Sequence, residues 1–126
     1  SEFPDMLECP SCKSRLTIAG RMWAGKLFDD KTRKGLAKVE SLDIDGEGRR
    51  LVSLMREELD MPLYYHIPTI TKMLGIGSVS PYEVMKWLES HGFAASLTHM
   101  HGSSVKSDCS IDDIKRCLSS IRKSRN

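Results

Sequence analysis

The sequence predicts an α+β fold in which a helix-rich, winged-helix-like unit follows a small strand-bearing segment, a zinc-ribbon remnant, and one helix. Three observations predict it. Apolar residues recur at helical spacing in capped blocks after residue 46, a stretch near residue 95 switches to strict alternation, and a Cys-x-x-Cys knuckle stands near the start. Residues 1–45 are accordingly read as a half zinc-ribbon-like knuckle with short strands and a connecting helix, and residues 46–126 as the helix-rich unit.

Taken in order, the knuckle of Cys9 and Cys12 leads into Leu16-Thr17-Ile18 and Met22-Trp23, short runs around Gly20 and Gly25 that suit brief strands. Asp29 or Asp30 caps a first helix with Leu36, Val39 and Leu42 on one face. The acidic, glycine-bearing stretch 43–48 reads as a linker. Beyond it Leu51, Leu54, Met55 and Leu59 recur at helical spacing, and the pattern stops before Pro62, because a proline pushes its predecessor out of the helical region. Tyr64 and Tyr65 occupy an extended stretch, where neighbouring side chains point to opposite sides, so one faces the core.

Ile67, Ile70 and Leu74 mark a shorter helix, with Pro68 in its first turn and Gly75 at its end. Ser80 and Glu83 form a Ser-x-x-Glu capping box with Pro81 at the first helical position. Val84, Met85 and Leu88 supply that helix's apolar face and Gly92 ends it. Phe93, Ala95 and Leu97 then alternate with Ala94, Ser96 and Thr98, and Gly102-Ser103 turns the chain into a second strand through Val105, making a hairpin. Ser110 caps the last helix, in which Ile111, Ile114, Leu118 and Ile121 align and the final turn carries Arg122 and Lys123, where the helix dipole favours cations.

With 126 residues, 40% of them hydrophobic, the chain suffices for one core and an appended module. No run of about 18 apolar residues could span a bilayer. The first residues have neither the basic flank nor the apolar stretch of a signal peptide, so a soluble, intracellular protein is expected, without a membrane partner and monomeric. The four cysteines fit metal or free thiols better than a secreted disulfide framework. Net charge is only +2, yet it is uneven: residues 13–38 balance at +6, residues 39–65 at −4 and residues 66–126 at +3. Two basic segments flanking an acidic one are compatible with a phosphate-binding face, for which Lys34, Lys38, Arg122 and Lys123 are candidates; a solvated surface is the plainer reading.

Cys9 and Cys12 offer two thiolates on one turn, half of what tetrahedral zinc needs; His66, His91, His99 and His101 stand at spacings that match no ribbon. Trp23 could be a base-stacking platform, although a tryptophan beside glycines more commonly fills a junction of short strands. Lys106 lies in the second strand of the hairpin with Ser96, Thr98 and His99 opposite. Together they offer a charge, hydroxyl donors and an imidazole suited to phosphate or ribose oxygens, unless Lys106 is an ordinary exposed strand lysine. A DNA-reading winged helix would send residues 81–91 into the major groove, but the outward set Tyr82, Glu83, Lys86, Glu89 and Ser90 is net acidic. Gly75-Ile76-Gly77 follows a helix rather than a strand, so no cofactor-binding βαβ turn is present, and no nucleophile set can be assembled from spacing.

Three islands of this chain resemble the tRNA guanine-26 N2-dimethyltransferases: the Cys9 to Cys12 knuckle leading into Gly20-Arg21-Met22-Trp23-Ala24-Gly25, then Pro62-Leu63-Tyr64-Tyr65, then Ser96-Leu97-Thr98-His99 closed by Val105-Lys106-Ser107-Asp108. Leu97 departs from the arginine usual in that family, Met100 from an aromatic, and Arg21 and Lys26 from prolines. The resemblance implies a parent enzyme that methylates the exocyclic amine of guanine in tRNA, with S-adenosylmethionine held by an N-terminal Rossmann-like domain. It also implies a zinc ribbon completed by cysteines upstream of residue 1. This chain is then expected to be the C-terminal, non-catalytic, tRNA-binding part. It would hold no cofactor itself, would partner tRNA and its own methyltransferase domain, and would contact RNA through Ser96, Thr98, His99, Lys106, Lys34, Lys38, Arg122 and Lys123. A nuclear location is favoured if the source is eukaryotic. The alternatives are a winged-helix DNA-binding or protein-interaction module without a tRNA role, and a structural lid on the methyltransferase.

Overall fold

A computed structural model of the chain describes residues 8–10, 12–17, 25–39 and 42–125. Most of the expected short strands around Gly20, and Trp23 with them, lie outside the described residues. Asp29 caps α1 (Asp30–Val39): its Oδ2 accepts from the backbone N–H and the hydroxyl of Thr32, both at 2.9 Å. Leu36 and Val39 are half-buried, whereas Leu42 lies beyond the helix and is exposed.

The second half of the expected linker at 43–48 is in fact a helix start. Asp45 caps α2 (Gly46–Glu57), its Oδ1 accepting from the N–H of Gly48 at 2.7 Å, so Gly46 to Gly48 form the first turn. The carboxylate satisfies a donor that the first turn leaves without an intrahelical partner, which offsets the poor helix propensity of the glycines. A Cβ at residue 48 would stand 3.1 Å from Asp45 Oδ1, so the close cap favours glycine there. On α2 the buried residue is Val52, while Leu51 faces solvent and Leu54 and Met55 are half-buried.

The extended stretch after Pro62 ends in β1 (Tyr65–His66), a strand that periodicity over two residues could not reveal. α3 (Ile67–Met73) and α4 (Pro81–Ser90) follow. Pro68 sits in the first turn of α3, Gly75 adopts φ 63° just past its end, and both halves of the Ser80–Glu83 capping box are formed. β2 (Ala95–Leu97), β3 (Ser104–Ser107) and α5 (Ile111–Arg125) complete the described elements. The sheet is antiparallel in the order β1-β3-β2, with Tyr65 opposite Val105 and Ser96 opposite Lys106. Ser110 caps α5, accepting from the N–H of Asp113 at 3.2 Å while the Asp113 carboxylate accepts from the Ser110 N–H at 2.9 Å.

Ile67, Val84, Leu88, Val105, Ile114 and Leu118 are fully buried between α3, α4, α5 and the sheet, each such side chain stabilising the fold by about 2 kcal/mol. On α5 the buried stripe is Ile114, Cys117, Leu118 and Ile121; Ile111, expected in it, is exposed, and Cys117 fills the inward position. The hairpin's polarity also departs from expectation. Ser96 and Thr98 are buried, and Ala95 and Leu97 only half-buried, because α4 covers one face of the sheet while α2 and the chain after it cover the other.

Candidate functional site

Glu58, one residue past the end of α2, has extended backbone geometry (φ −66°, ψ 135°) and a side chain fully removed from solvent. Its Oε1 accepts from the Lys106 ammonium at 2.8 Å and the Thr98 hydroxyl at 2.7 Å. Its Oε2 accepts from the His99 backbone N–H at 3.1 Å and His99 Nδ1 at 2.5 Å. A carboxylate is an acceptor only, so Nδ1 carries the proton and the Nε2 edge of the ring is left for another partner. The neighbouring residue extends the network: Leu59 donates its N–H to Ser96 Oγ at 2.9 Å and its carbonyl accepts from Lys106 Nζ at 3.4 Å. The Glu58 carbonyl accepts from the Arg33 guanidinium of α1.

Burial pushes the Glu58 carboxyl up, but the hydrogen bonds from Lys106, Thr98 and His99 outweigh it and bring the pKa down from 4.5 to about 2. Glu58 is therefore ionised across the neutral range, with its desolvation offset by close, saturated contacts.

Ser96, Thr98, His99 and Lys106 are thus brought together, as the hairpin register implies, but facing inward. Lys106 is 3% exposed. It is not a strand lysine held out toward solvent, because its strand face is the one that the end of α2 covers. Glu58 carries no signal of its own in the sequence, where it is one of the acidic residues of the stretch 39–65. The available signal is the lysine, two hydroxyls and imidazole on one hairpin face, which need a buried acceptor if that face is covered.

Beside this network opens a cavity of about 540 Å³. Phe28, Asp29 and Thr32 border it from the head of α1, Met55 from α2, and Pro62 and Tyr64 from the connection to β1. His99, Met100 and Lys106 close it from the hairpin. The Phe28 ring is held at the wall with Arg33 4.9 Å and Lys106 5.9 Å from its centre. Leu27 donates its N–H to Asp60 Oδ1 at 2.7 Å, tying the approach to α1 to the chain after α2.

The remaining candidates stand apart from this cluster. Lys34 and Lys38 are exposed on α1, which packs on α2; Arg122 and Lys123 are exposed on α5, which packs on α4. Arg122 and Lys123 border a 370 Å³ hollow with Leu74 and Ile76. On α4 the outward Lys86 is paired to Glu89 at 2.9 Å and lies over Tyr82.

Cys9 and Cys12 sit on a turn closed by Cys9 N–H to Ser14 O at 2.8 Å and Lys13 N–H to Cys9 O at 2.9 Å, with Lys13 at φ 59°. The Ser14 hydroxyl, 3.3 Å from the Cys12 sulfur, holds that thiol below its usual pKa. Among the described residues no group of three His, Cys, Asp or Glu side chains gathers, so these two thiols amount to half of a tetrahedral site and do not by themselves fit zinc.

A family described as "TRM: N2,N2-dimethylguanosine tRNA methyltransferase" matches residues 2–119. The chain belongs to this family. Among curated tRNA (guanine(26)-N(2))-dimethyltransferases, that of Methanosarcina barkeri is 32% identical over 118 residues, and that of Methanothermobacter thermautotrophicus 29% over 118 residues. These alignments cover 90% of this chain and 30% and 31% of the two relatives, so the chain spans about a third of their length. A solved structure of Trm1 from Pyrococcus horikoshii with S-adenosyl-L-methionine superposes with a TM-score of 0.69 at 26% identity, covering 78% of this chain and 27% of that one. In this member of the TRM family, the candidate site is the Glu58 network together with the cavity beside it.

Proposed function

We propose that this chain is the C-terminal part of an S-adenosylmethionine-dependent tRNA guanine-26 N2-methyltransferase, and that it positions tRNA for a catalytic domain outside these residues. The observation that carries the reading is what the shared third of the family contains. It is a helix-rich unit on a short antiparallel sheet, with Lys34 and Lys38 exposed on α1 and Arg122 and Lys123 exposed on α5. The cofactor's methyl group would be supplied from the rest of the enzyme, and this chain's residues bind and orient.

The order α2, β1, α3, α4, β2, β3 with strand order β1-β3-β2 supports a winged-helix-like unit beginning near residue 46. The described residues before 46 lean on that unit through Arg33 and Leu27. Further cysteines outside this chain would complete a zinc ribbon with Cys9 and Cys12. A monomeric, intracellular protein belongs to the same reading.

In this reading the exposed cations Lys34, Lys38, Arg122 and Lys123 contact phosphates, while Ser96, Thr98 and Lys106 hold the hairpin's shape and His99 presents its free edge. Phosphate contacts fix orientation and select folded RNA without reading sequence. The net-acidic outer face of α4, with its one lysine paired to Glu89, gives duplex DNA no comparable grip.

The test is a titration of the full chain with tRNA and with duplex DNA at about 50 and about 200 mM salt, where charge-driven binding falls steeply. Wild type should bind tRNA more tightly than duplex DNA. Lys34→Glu/Lys38→Glu and Arg122→Glu/Lys123→Glu should each weaken binding and flatten the salt slope by about 1 for every phosphate no longer neutralised. Absence of tRNA binding at the lower salt, or duplex DNA bound as tightly, would remove this function.

A further inference from the structure

The cavity between the head of α1 and the hairpin has what a nucleobase requires, on three independent grounds. Its volume, about 540 Å³, lies within the roughly 300–1,000 Å³ of sites that enclose small ligands. Its walls include two aromatic rings, Phe28 and Tyr64, and the thioethers of Met55 and Met100, surfaces against which a flat base stacks. Its polar groups are few, of opposite character, and not fully used.

Lys106 is the decisive one. It is 3% exposed and borders the cavity, yet its ammonium has three donors. Two are matched, by Glu58 Oε1 and the Leu59 carbonyl, and among the described residues no third acceptor is in reach. A buried donor without a partner costs free energy that a ligand oxygen would recover. Across the same cavity Asp29 accepts from Thr32 through Oδ2 and has the Lys31 N–H beside it, which leaves further acceptor sites on a two-oxygen carboxylate, and His99 has its Nε2 edge without a partner among the described residues. A lysine donor and a carboxylate acceptor bordering one flat, aromatic-walled space match a base whose edge carries an oxygen beside N–H donors. Guanine has that edge: O6 accepts, and N1–H with the exocyclic N2–H₂ donate. Adenine has no exocyclic oxygen for the lysine, uracil has a single N–H, and cytosine places its amino group beside an unprotonated nitrogen.

We infer that this cavity receives one unstacked guanine base of the bound tRNA, as an anchor between Asp29 and Lys106. The inference rests on the tRNA-binding reading above. Phe28 and Tyr64 give the stacking surface; Lys106, held in place by Glu58, gives the oxygen contact; Asp29 accepts from the base N–H groups. The anchored base fixes the register of the RNA on this unit, so exposed phosphate contacts need not carry register alone.

The experiment uses the full chain and guanosine, adenosine and cytidine 5′-monophosphates as probes, with the methyl resonances of Met55 and Met100 as the readout. Guanosine monophosphate should shift both resonances saturably, with adenosine and cytidine monophosphates at least about tenfold weaker, the discrimination expected of a bidentate base contact. Asp29→Asn keeps a competent helix cap and should erase the guanine preference. Phe28→Ala should weaken all three nucleotides. Unmoved resonances, equal responses to all nucleotides, or a preference that survives Asp29→Asn would each overturn the inference. A tRNA titration of the same proteins separates it from the reading beneath it. Wild-type chain that binds tRNA while its methionines ignore guanosine monophosphate keeps the tRNA role and loses the pocket. Chain that binds guanosine monophosphate but no tRNA loses the anchor role.

Discussion

Glu58, just past α2, and Lys106, in the central strand of the sheet, are 2.8 Å apart with neither side chain more than 3% exposed. Residues 58 and 106 are distant in sequence, so this contact holds α2 against the hairpin and, through the Glu58 carbonyl and Arg33, holds α1 as well. Removing one member of such a pair leaves an uncompensated buried charge. Glu58→Gln and Lys106→Met should therefore each destabilise the chain by about 3–5 kcal/mol, and the double variant by clearly less than their sum. Urea denaturation of the four proteins measures this; additive losses would show that the two groups do not interact.

Acid should weaken the same junction. The folded-state pKa of Glu58 is lowered from 4.5 to about 2, so its contribution is complete above about 4.5 and is lost as pH falls through about 2. The linked stabilisation is on the order of 3 kcal/mol. Unfolding free energy followed from pH 6 to pH 2 should decline mainly below about 4.5, and Glu58→Gln should flatten that decline. An unchanged acid profile in the variant would contradict the assignment.

The four cysteines should react in two classes. Cys109 and Cys117 are buried in the core, and burial raises both thiols, Cys117 to about 12, while Cys12 is exposed and lowered by Ser14. Thiolates are the reactive form. A colorimetric thiol reagent on the native protein should consume Cys12, and more slowly Cys9, with Cys109 and Cys117 released only on denaturation. Ser14→Ala should slow the first phase. Four equal rates would mean that the core is open.

At the head of α4, Ser80 and Glu83 form both hydrogen bonds of the capping box. Ser80→Ala should lower stability by about 1 kcal/mol, and Ser80→Asp should largely restore it, because aspartate accepts the same backbone N–H. Thermal melting of the two variants checks this. The cap is local, so neither change should alter the tRNA binding proposed above.

How far the sequence could be read divides along the range of the interactions. Local rules located the caps at Ser80 and Ser110, narrowed the first helix's cap to Asp29 or Asp30, and placed the first-turn Pro68 and the terminating Gly75 and Gly92, because each acts over three or four residues of its own backbone. The resemblance carried by Ser96 to Asp108 pointed to the right family. Residues 43–48 mislead because glycine and acid signal both a linker and a capped helix start, and only the Asp45 to Gly48 hydrogen bond decides between them. The two-residue strand β1 is defined by β3, not by its own periodicity. Which face of the hairpin would be covered was likewise beyond local rules, since alternation specifies two faces but not what packs on each. Sequence alone determined most of the helices, several of their caps and the family; tertiary structure set where α2 begins, turned Lys106 inward onto Glu58 and shaped the cavity beside it. The physical reason is that a buried charge is tolerated only where a distant segment supplies its counter-charge, and no window of sequence contains both.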